Sequence, residues 1–411
     1  VSRPYTEADH EALHRVWKEV GWIDPANDAH TKALDAFLEC NDIVVGEIDG
    51  AAEIFAHVAE GFMCHGVQDI PMASVVGIVS GLVARKRGVA GEVTATALAD
   101  AVGNGAQVAA LGMFDQGYYD RLGFGTGPPV AIMTIDPAAI TVPPPSRAPV
   151  RLGIDDAREM HEARLHRQRE HGGMNLCSPA ITKAEMMWST KGFGLGFRSE
   201  DGELTHHIWF VISGDVEHGP YEVEWASWKT DAQFLELMGL LGTLGDQVHS
   251  VRLIEPPRFQ LQDLVDRPLS RYRRSKGGVH ESDDRYVGFW QARICDLPAC
   301  MERTSFPGDE EISFNVVIKD PIERFFEASA PWRGCGGTWA VTLGRRCTAT
   351  EGAREGDPAM TATINAFTRL WLGVRPATGL ATTDELEAPQ DVLERLDAII
   401  PATRPWPGWW F

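Results

Sequence analysis

The sequence predicts an α/β and α+β protein: two successive mixed sheets flanked by helices, then a third segment of strands and helices. Three observations carry this expectation. A β-rich run at 74–83 passes through a basic, glycine-containing turn straight into a helical stretch. The same strand–helix–strand order returns after Pro143-Pro144-Pro145, a run that stops any regular pattern. From about residue 287 the texture changes to short strands and hairpins, with helices towards the end.

Residues 3–20 carry Leu13, Val16 and Trp17 at helical spacing, and a second helix is expected over 31–40. Residues 43–48 and 51–57 read as a hairpin turning at Asp49-Gly50. The strand at 74–83 follows, then a helix at 88–103, a strand at 107–113, a short helix at 115–122 and a strand at 129–136. These elements make a first domain of 1–142. In a second domain, 148–286, a helix is expected over 154–170 and a hairpin from 206–213 and 221–228, joined through 215–220. Residues 231–245 place Phe234, Leu235, Met238, Leu241 and Leu244 on one helical face, and 248–255 return as a strand. The third domain, 287–411, is read as strands at 288–294, 312–320 and 360–364, a hairpin of 339–343 with 347–350, and helices at 296–303, 364–372 and 391–400. It ends in a tail rich in Trp and Pro.

The most informative stretch is 74–125. Its strand delivers Arg85-Lys86-Arg87-Gly88-Val89-Ala90 onto a helix start. Such a turn suits a phosphate, because the first amides of a helix lack partners and the macrodipole favours negative charge there. Gly88 admits a close backbone approach, and Arg85, Lys86 and Arg87 add positive charge at the rim. Neither a Gly-x-x-x-x-Gly-Lys-Ser/Thr loop nor a Gly-x-Gly-x-x-Gly between strand and helix occurs, which argues against the two common nucleotide loops. In the second domain Lys229-Thr230-Asp231 stands where the basic turn would be; Asp231 reads as an N-cap and would repel a pyrophosphate.

Composition narrows the function further. A formal net charge of −20 argues against nucleic acid and fits either a cationic partner or plain solubility. Seven cysteines, an odd number without any Cys-x-x-Cys, suggest buried thiols in a reducing cytoplasm rather than disulfides or a zinc site. His161, His166 and His171 recur every five residues, a step of about 140° on a helix, so they do not share a face. His206 and His207 point opposite ways on a strand. No metal is expected, and neither a membrane span nor a secretory signal is visible.

The Arg-x-x-Gly-x-Ala turn, followed by Tyr118-Tyr119-Asp120-Arg121-Leu122-Gly123-Phe124-Gly125, resembles the GNAT acetyltransferase superfamily. With the two similar domains, the third α+β segment and the aromatic terminus, the chain resembles the Eis (enhanced intracellular survival) acetyltransferases. Gly288-Phe289-Trp290-Gln291-Ala292-Arg293 and Phe367-Thr368-Arg369-Leu370-Trp371-Leu372-Gly373 then match that family's sterol-carrier-protein-like domain. The resemblance implies an acetyl-CoA-dependent N-acetyltransferase in which Ile78, Val79 and Ser80 hold the thioester and pantetheine. It implies that Lys86 to Gly91 bind the pyrophosphate, and that Phe114 and Asp115 flank the cofactor arm. Tyr119 would protonate the departing thiolate, and the α-carboxylate of Phe411 would act as general base. A homo-oligomer, up to a hexamer, is also implied.

The chemistry is consistent with those roles. An amine of pKa about 8–10 must lose a proton before it attacks a thioester, and a carboxylate can take it. Backbone N–H groups suit the oxyanion that forms. No Gly-x-Ser-x-Gly elbow is present, so direct transfer is simpler than an acyl-serine route. Trp17, Trp22, Phe37, Phe55 and Phe62 are weighed as an acceptor pocket or as core, and Asp24, Asp28 and Glu47 as amine-binding acids. An aminoglycoside, a polyamine and a lysine side chain all remain open as acceptors. The competing reading is a lipid or hydrophobic-ligand binder that uses the third domain, with the first two as scaffold.

Overall fold

The computed structural model describes residues 2–24, 26–189, 191–267 and 277–410. The first segment runs β1 (Ser2–Pro4), α1 (His10–Glu19), α2 (Asp28–Leu38), β2 (Asp42–Ile48), β3 (Ala51–His65), β4 (Gln68–Ser80), α3 (Val89–Gly103), β5 (Val108–Gly112), α4 (Gln116–Asp120), β6 (Gly125–Thr126) and β7 (Val130–Ile135). The helix expected from residue 3 begins only at His10, because Ser2–Pro4 pair with Val44–Gly46 as an edge strand. The strand expected to reach residue 83 ends at Ser80, and Leu82–Ala84 form a 3-10 turn.

The second segment contains β8 (Val150–Leu152), α5 (Ala157–Leu165), β9 (Met174–Leu176), α6 (Pro179–Trp188), β10 (Gly192–Arg198), β11 (Leu204–Asp215), β12 (Gly219–Ser227), α7 (Asp231–Gly242) and β13 (Val251–Ile254). The third contains β14 (Asp283–Val287), β15 (Trp290–Ile294), α8 (Leu297–Glu302), β16 (Ile312–Lys319), β17 (Gly337–Leu343), β18 (Thr348–Glu351), β19 (Ala359–Thr363), α9 (Ile364–Trp371), α10 (Ala377–Thr383), β20 (Leu386–Glu387) and α11 (Gln390–Ile399). The helix expected over 154–170 is shorter, and α6 and β10 had no counterpart in the sequence reading.

Sheet order exposes an exchange of strands. The first sheet runs β1-β2-β3-β4-β5-β15-β6, and the second β14-β7-β13-β12-β11-β10-β8. The 130–135 strand of the first segment therefore completes the second sheet, where Ile135 pairs with Val251 and Ile132 with Ile254. The 290–294 strand, expected to open the third segment, completes the first sheet, with Trp290 opposite Gly112 and Ile294 opposite Val108. All five residues of β15 are buried, so the strand needs two covered faces, and only an interior sheet position provides them. Gly127 admits this strand: a Cβ there would stand 2.0 Å from the Trp290 ring.

The third sheet, β18-β17-β16-β19-β20, packs its apolar face into a cluster shared with the first sheet. Ala59, Met72, Val108 and Ala110 belong to the same buried cluster as Phe314, Phe367 and Leu370. Arg293 pins the three parts together. Its guanidinium forms a fully buried ion pair with Asp320 at 2.7 Å and donates to the Leu122 carbonyl of the α4 turn. Asp320 also accepts from the amides of Ile322, at 3.2 Å, and Cys335, at 2.8 Å.

Each of the first two sheets has one parallel pair from which a wedge can open. In the second sheet Tyr221 pairs with Val251 and Glu222 with Arg252; further along, residues 223–226 with Leu253, Ile254 and Pro256 line a cavity of about 60 Å³. The Trp406–Trp410 tail closes it. Trp409 is buried, donates to Glu185 Oε1 at 2.9 Å and lies 3.6 Å beneath the Arg164 guanidinium. Trp410 stacks on Phe289 at 4.0 Å. At the start of α7, Thr230 is the N-cap rather than Asp231: its side chain accepts from Gln233 N–H at 3.3 Å, and Gln233 Oε1 accepts from the amides of Thr230 and Lys229. Threonine followed three residues later by glutamine forms a capping box, which leaves Asp231 in the first helical turn.

Two stability predictions follow from these contacts. Asp320→Ala leaves the Arg293 charge buried without its partner and should cost about 3–5 kcal/mol in urea unfolding; a loss under 1 kcal/mol would show that the pair is not a tie. Glu224 lines the second-sheet cavity, and burial raises its carboxyl to about 7. The folded state then holds this proton to higher pH than the unfolded chain, so the group lowers stability increasingly as pH rises from about 4.5 through 7. Glu224→Gln should accordingly stabilise the protein by about 1–3 kcal/mol at pH 8 and by little at pH 5. Equal effects at both pH values would remove the assignment.

Candidate active site

The wedge of the first sheet stands open. β4 and β5 pair in parallel from Met72 with Val108 to Val75 with Leu111, and no further. β4 continues on β3 alone, with Ile78 opposite Ala56, Val79 opposite Phe55 and Ser80 opposite Ile54. The edge of β4 at 78–80 therefore faces a cleft of about 1100 Å³ instead of a neighbouring strand. Ile78, Val79, Ser80, Arg85, Lys86, Gly88, Ala90, Gly91, Phe114 and Asp115 all line this cleft. Arg87 and Val89 do not: Arg87 reaches towards Asp49 at 3.9 Å, and Val89 packs on the core beneath α3.

The turn into α3 is shaped for an anion. Lys86 and Gly88 both adopt the left-handed backbone region, at φ 61° and 81°. Gly88 is the N-cap, and among the described residues no side chain caps this helix. Among the described residues, no backbone oxygen outside the helix takes the amides of Gly88 to Gly91. These N–H groups are oriented along the helix and held at the cleft wall, with exposed Arg85 and Lys86 beside them.

Opposite this turn, Asp115 caps α4 by accepting from Tyr118 N–H at 3.2 Å. Tyr118 lines the cleft and has its hydroxyl 3.4 Å from Thr94 Oγ1. Tyr119 is only 3% exposed and does not line the cleft surface. Its ring sits edge-on to Tyr118 at 4.9 Å, Phe114 at 5.6 Å and Phe124 at 6.1 Å. It shares a buried cluster against which Ile78 packs, and burial raises its phenol well above the ordinary range. Phe411 lies outside the described residues.

Other lining residues were not recognised from the sequence. Arg324 and Phe325 come from the 3-10 turn Pro321–Phe325 of the third segment, just past Asp320. Phe325 rests against the start of α3, where a Cβ on Gly91 would meet its ring at 2.9 Å. Arg324 lies 4.6 Å over the Phe325 ring and, like Arg121, forms no ion pair among the described residues. Nothing local marks these two residues, because the contact depends on how the third segment docks. Val20 and Trp22, from the α1–α2 connection, line the opposite wall.

The far face of β4 is aromatic. Trp17, Phe37 and Phe55 are buried core, whereas Trp22 is 44% exposed and edge-on to Trp17 at 5.0 Å. Trp188 of α6 stacks on Trp17 at 6.0 Å. His57, opposite Gly77, is fully buried beside Trp17; burial lowers its pKa to about 3, and neither ring nitrogen has a partner among the described residues. Of the acids weighed for amine binding, Glu47 is engaged with Arg3 at 2.7 Å, while Asp24 and Asp28 are exposed. Two carboxylates went unweighed: Glu53, under Gly81 and paired with Arg15 at 2.7 Å, and Glu19, which accepts from Leu82 N–H at 3.2 Å.

Residues 2–127 match the model of the acetyltransferase (GNAT) domain, and residues 297–408 that of the sterol carrier protein domain. No curated protein matches the chain in sequence. Among solved structures, the chain is similar to a probable N-acyltransferase from Enterococcus faecalis V583, at TM-score 0.79 and 19% identity, over 100% of this chain and 99% of that one. A GCN5-related N-acetyltransferase from Anabaena variabilis gives 0.78 and 14%, with both chains fully covered. Eis1 from Mycobacterium abscessus gives 0.75 and 16%, again with full coverage of both. At such identities the likeness is one of fold along the entire chain. The matches show a GNAT acetyltransferase domain over residues 2–127, which contains the open wedge and the uncapped helix start, and a sterol carrier protein domain over residues 297–408.

Proposed function

We propose that the protein transfers an acetyl group from acetyl-CoA directly to an amine. The observation that carries this reading is the open β4–β5 wedge running into the uncapped start of α3. The freed edge of β4 at Ile78–Ser80 offers backbone groups to the pantetheine amides and the thioester carbonyl. The amides of Gly88 to Gly91, with Arg85 and Lys86, take the pyrophosphate. Beyond the pyrophosphate, Phe325 offers a face to the adenine, and Arg324 and Arg121 offer charge to a phosphate.

The acceptor approaches across the α1–α2 side of β4, past Trp22. Its chemical class is a cationic amine, drawn by a net charge of −20 and by aromatic faces. An aminoglycoside, a polyamine and a lysine side chain all fit that class. The amine attacks the thioester carbonyl, the oxyanion is met by β4 amides, and the C–S bond breaks to release a thiolate. Tyr119 supplies the proton: its buried phenol stays protonated throughout the working pH range. The terminal carboxylate of Phe411 receives the amine proton. Two contacts support this second role: Trp410 stacks on Phe289, and the Phe289 carbonyl accepts from the Met113 amide at 2.6 Å, one residue before Phe114.

Isothermal titration should detect acetyl-CoA binding to the full chain; absence of heat and of competition by CoA would end the proposal. Tyr119→Phe should reduce kcat by about 10²-fold or more with donor affinity nearly unchanged, and deletion of Phe411 should do the same. Full turnover after either change removes that residue from the chemistry. Arg324→Ala should weaken acetyl-CoA binding about tenfold while leaving kcat at saturation intact. An unchanged donor KM would show that the third segment does not contribute to the donor site.

A further inference from the structure

On the outer side of the α1–α2 pair, His10 and His14 stand one helical turn apart on α1 and face Asp35 of α2. Residues four apart share a helix face, so both imidazoles project the same way. Their Nε2 atoms lie 3.1 Å and 2.8 Å from the same oxygen, Asp35 Oδ1, and the three ligand atoms all fall within 4.8 Å of one another. Unlike the histidines at 161–171 and 206–207, this pair gains its third member from another helix, which no local spacing marks.

We propose that His10, His14 and Asp35 form a binding site for a divalent transition-metal ion of the zinc class. Zinc takes imidazole nitrogen and carboxylate oxygen at about 2.0–2.2 Å, so neighbouring ligand atoms in a tetrahedral site lie about 3.3 Å apart. The two N–O separations are already close to that spacing, and an ion can enter with small side-chain shifts. Two imidazoles and one carboxylate favour Zn²⁺, Co²⁺ or Ni²⁺ over the oxygen-seeking Ca²⁺ and Mg²⁺. His14 is buried and held by its helix, whereas His10 and Asp35 are each nearly half-exposed. The site is therefore rigid on one side and open on the other, leaving a coordination position for water. Coordination needs the Nδ1–H tautomer of both rings, with each Nε2 lone pair turned to the ion.

The ion would bridge α1 and α2, and the connection between these helices carries Val20 and Trp22 onto the wall of the donor cleft. Occupancy would thus stiffen the element that separates donor from acceptor. Thiols do not compete readily: Cys40 and Cys177 are half-buried with pKa values raised to about 12 and about 11, and the other five are buried.

The test uses the full-length protein freed of metal with a chelator, then titrated with ZnCl₂ by calorimetry and with Co²⁺ by visible absorption. One equivalent should bind, with Co²⁺ bands typical of low coordination number, and Zn²⁺ should raise the unfolding midpoint. His10→Gln, at a half-exposed position, should weaken Zn²⁺ binding at least about tenfold and abolish the thermal shift while changing the metal-free midpoint little. Asp35→Asn should weaken binding similarly. Wild-type binding no tighter than that of His10→Gln would overturn the proposal and leave the cluster as a hydrogen-bonded helix contact. Unaltered one-to-one binding in both variants would overturn it equally, because the ion would then reside elsewhere.

Discussion

The ion pair of Arg293 and Asp320 is the constraint on which the arrangement rests. Arg293 sits in a strand that has left its neighbours in sequence to complete the first sheet. Its head group meets Asp320 from the third segment and the Leu122 carbonyl from the turn after Tyr119. Neither charge reaches solvent. A buried charge without its partner is so costly that the strand, the tyrosine turn and the 3-10 turn bearing Arg324 and Phe325 must find one another for any of them to be stable. The cleft thus owes one wall to a segment more than 200 residues away in the chain.

The two sheets repeat one design with opposite outcomes. Each contains a single parallel pair that parts after a few residues. In the first, the parting strands lead to glycine and cations at a bare helix start, and the wedge stays open for a ligand. In the second, a threonine–glutamine box occupies the corresponding amides, Asp231 brings negative charge, and the tryptophan tail fills the space. Helix-start chemistry explains the difference: free amides favour anions, whereas capped amides beside a carboxylate do not. The filled wedge acquires a different use, that of holding the last residues of the chain. Trp409 is gripped by Arg164 and Glu185, and the Gly408 carbonyl accepts from Arg167 at 3.0 Å.

Burial also sorts the aromatic residues by role. Trp17, Phe37 and Phe55 are packed into the interior, and only Trp22 carries their edge to the cleft. Adjacent tyrosines separate in the same way. Tyr118 faces the cleft, while Tyr119 turns into an aromatic box where its phenol resists ionisation. Burial keeps the Tyr119 phenol protonated and also weakens it as an acid, because a phenolate left there would be desolvated.

By itself, the sequence determined the local units. Periodicity and turn chemistry marked α3, α7 and the hairpins, and Arg85 to Gly91 marked a basic turn onto a helix start, because strand, glycine and helix start are neighbours in the chain. It also picked out residues that line one wall of the cleft, since Ile78 to Gly91 lie within one supersecondary unit. Other features were decided only by the tertiary structure. The 130–135 and 290–294 strands crossed between sheets, because hydrophobic runs specify burial but not which edge provides it. Arg324 and Phe325 reached the cleft, and Asp35 met His10 and His14, through docking between elements that no local spacing encodes. The sequence set the period and chemistry of each piece. The choice among partners belonged to non-local packing and to buried charges that must be paired, and both exist only once the chain has folded.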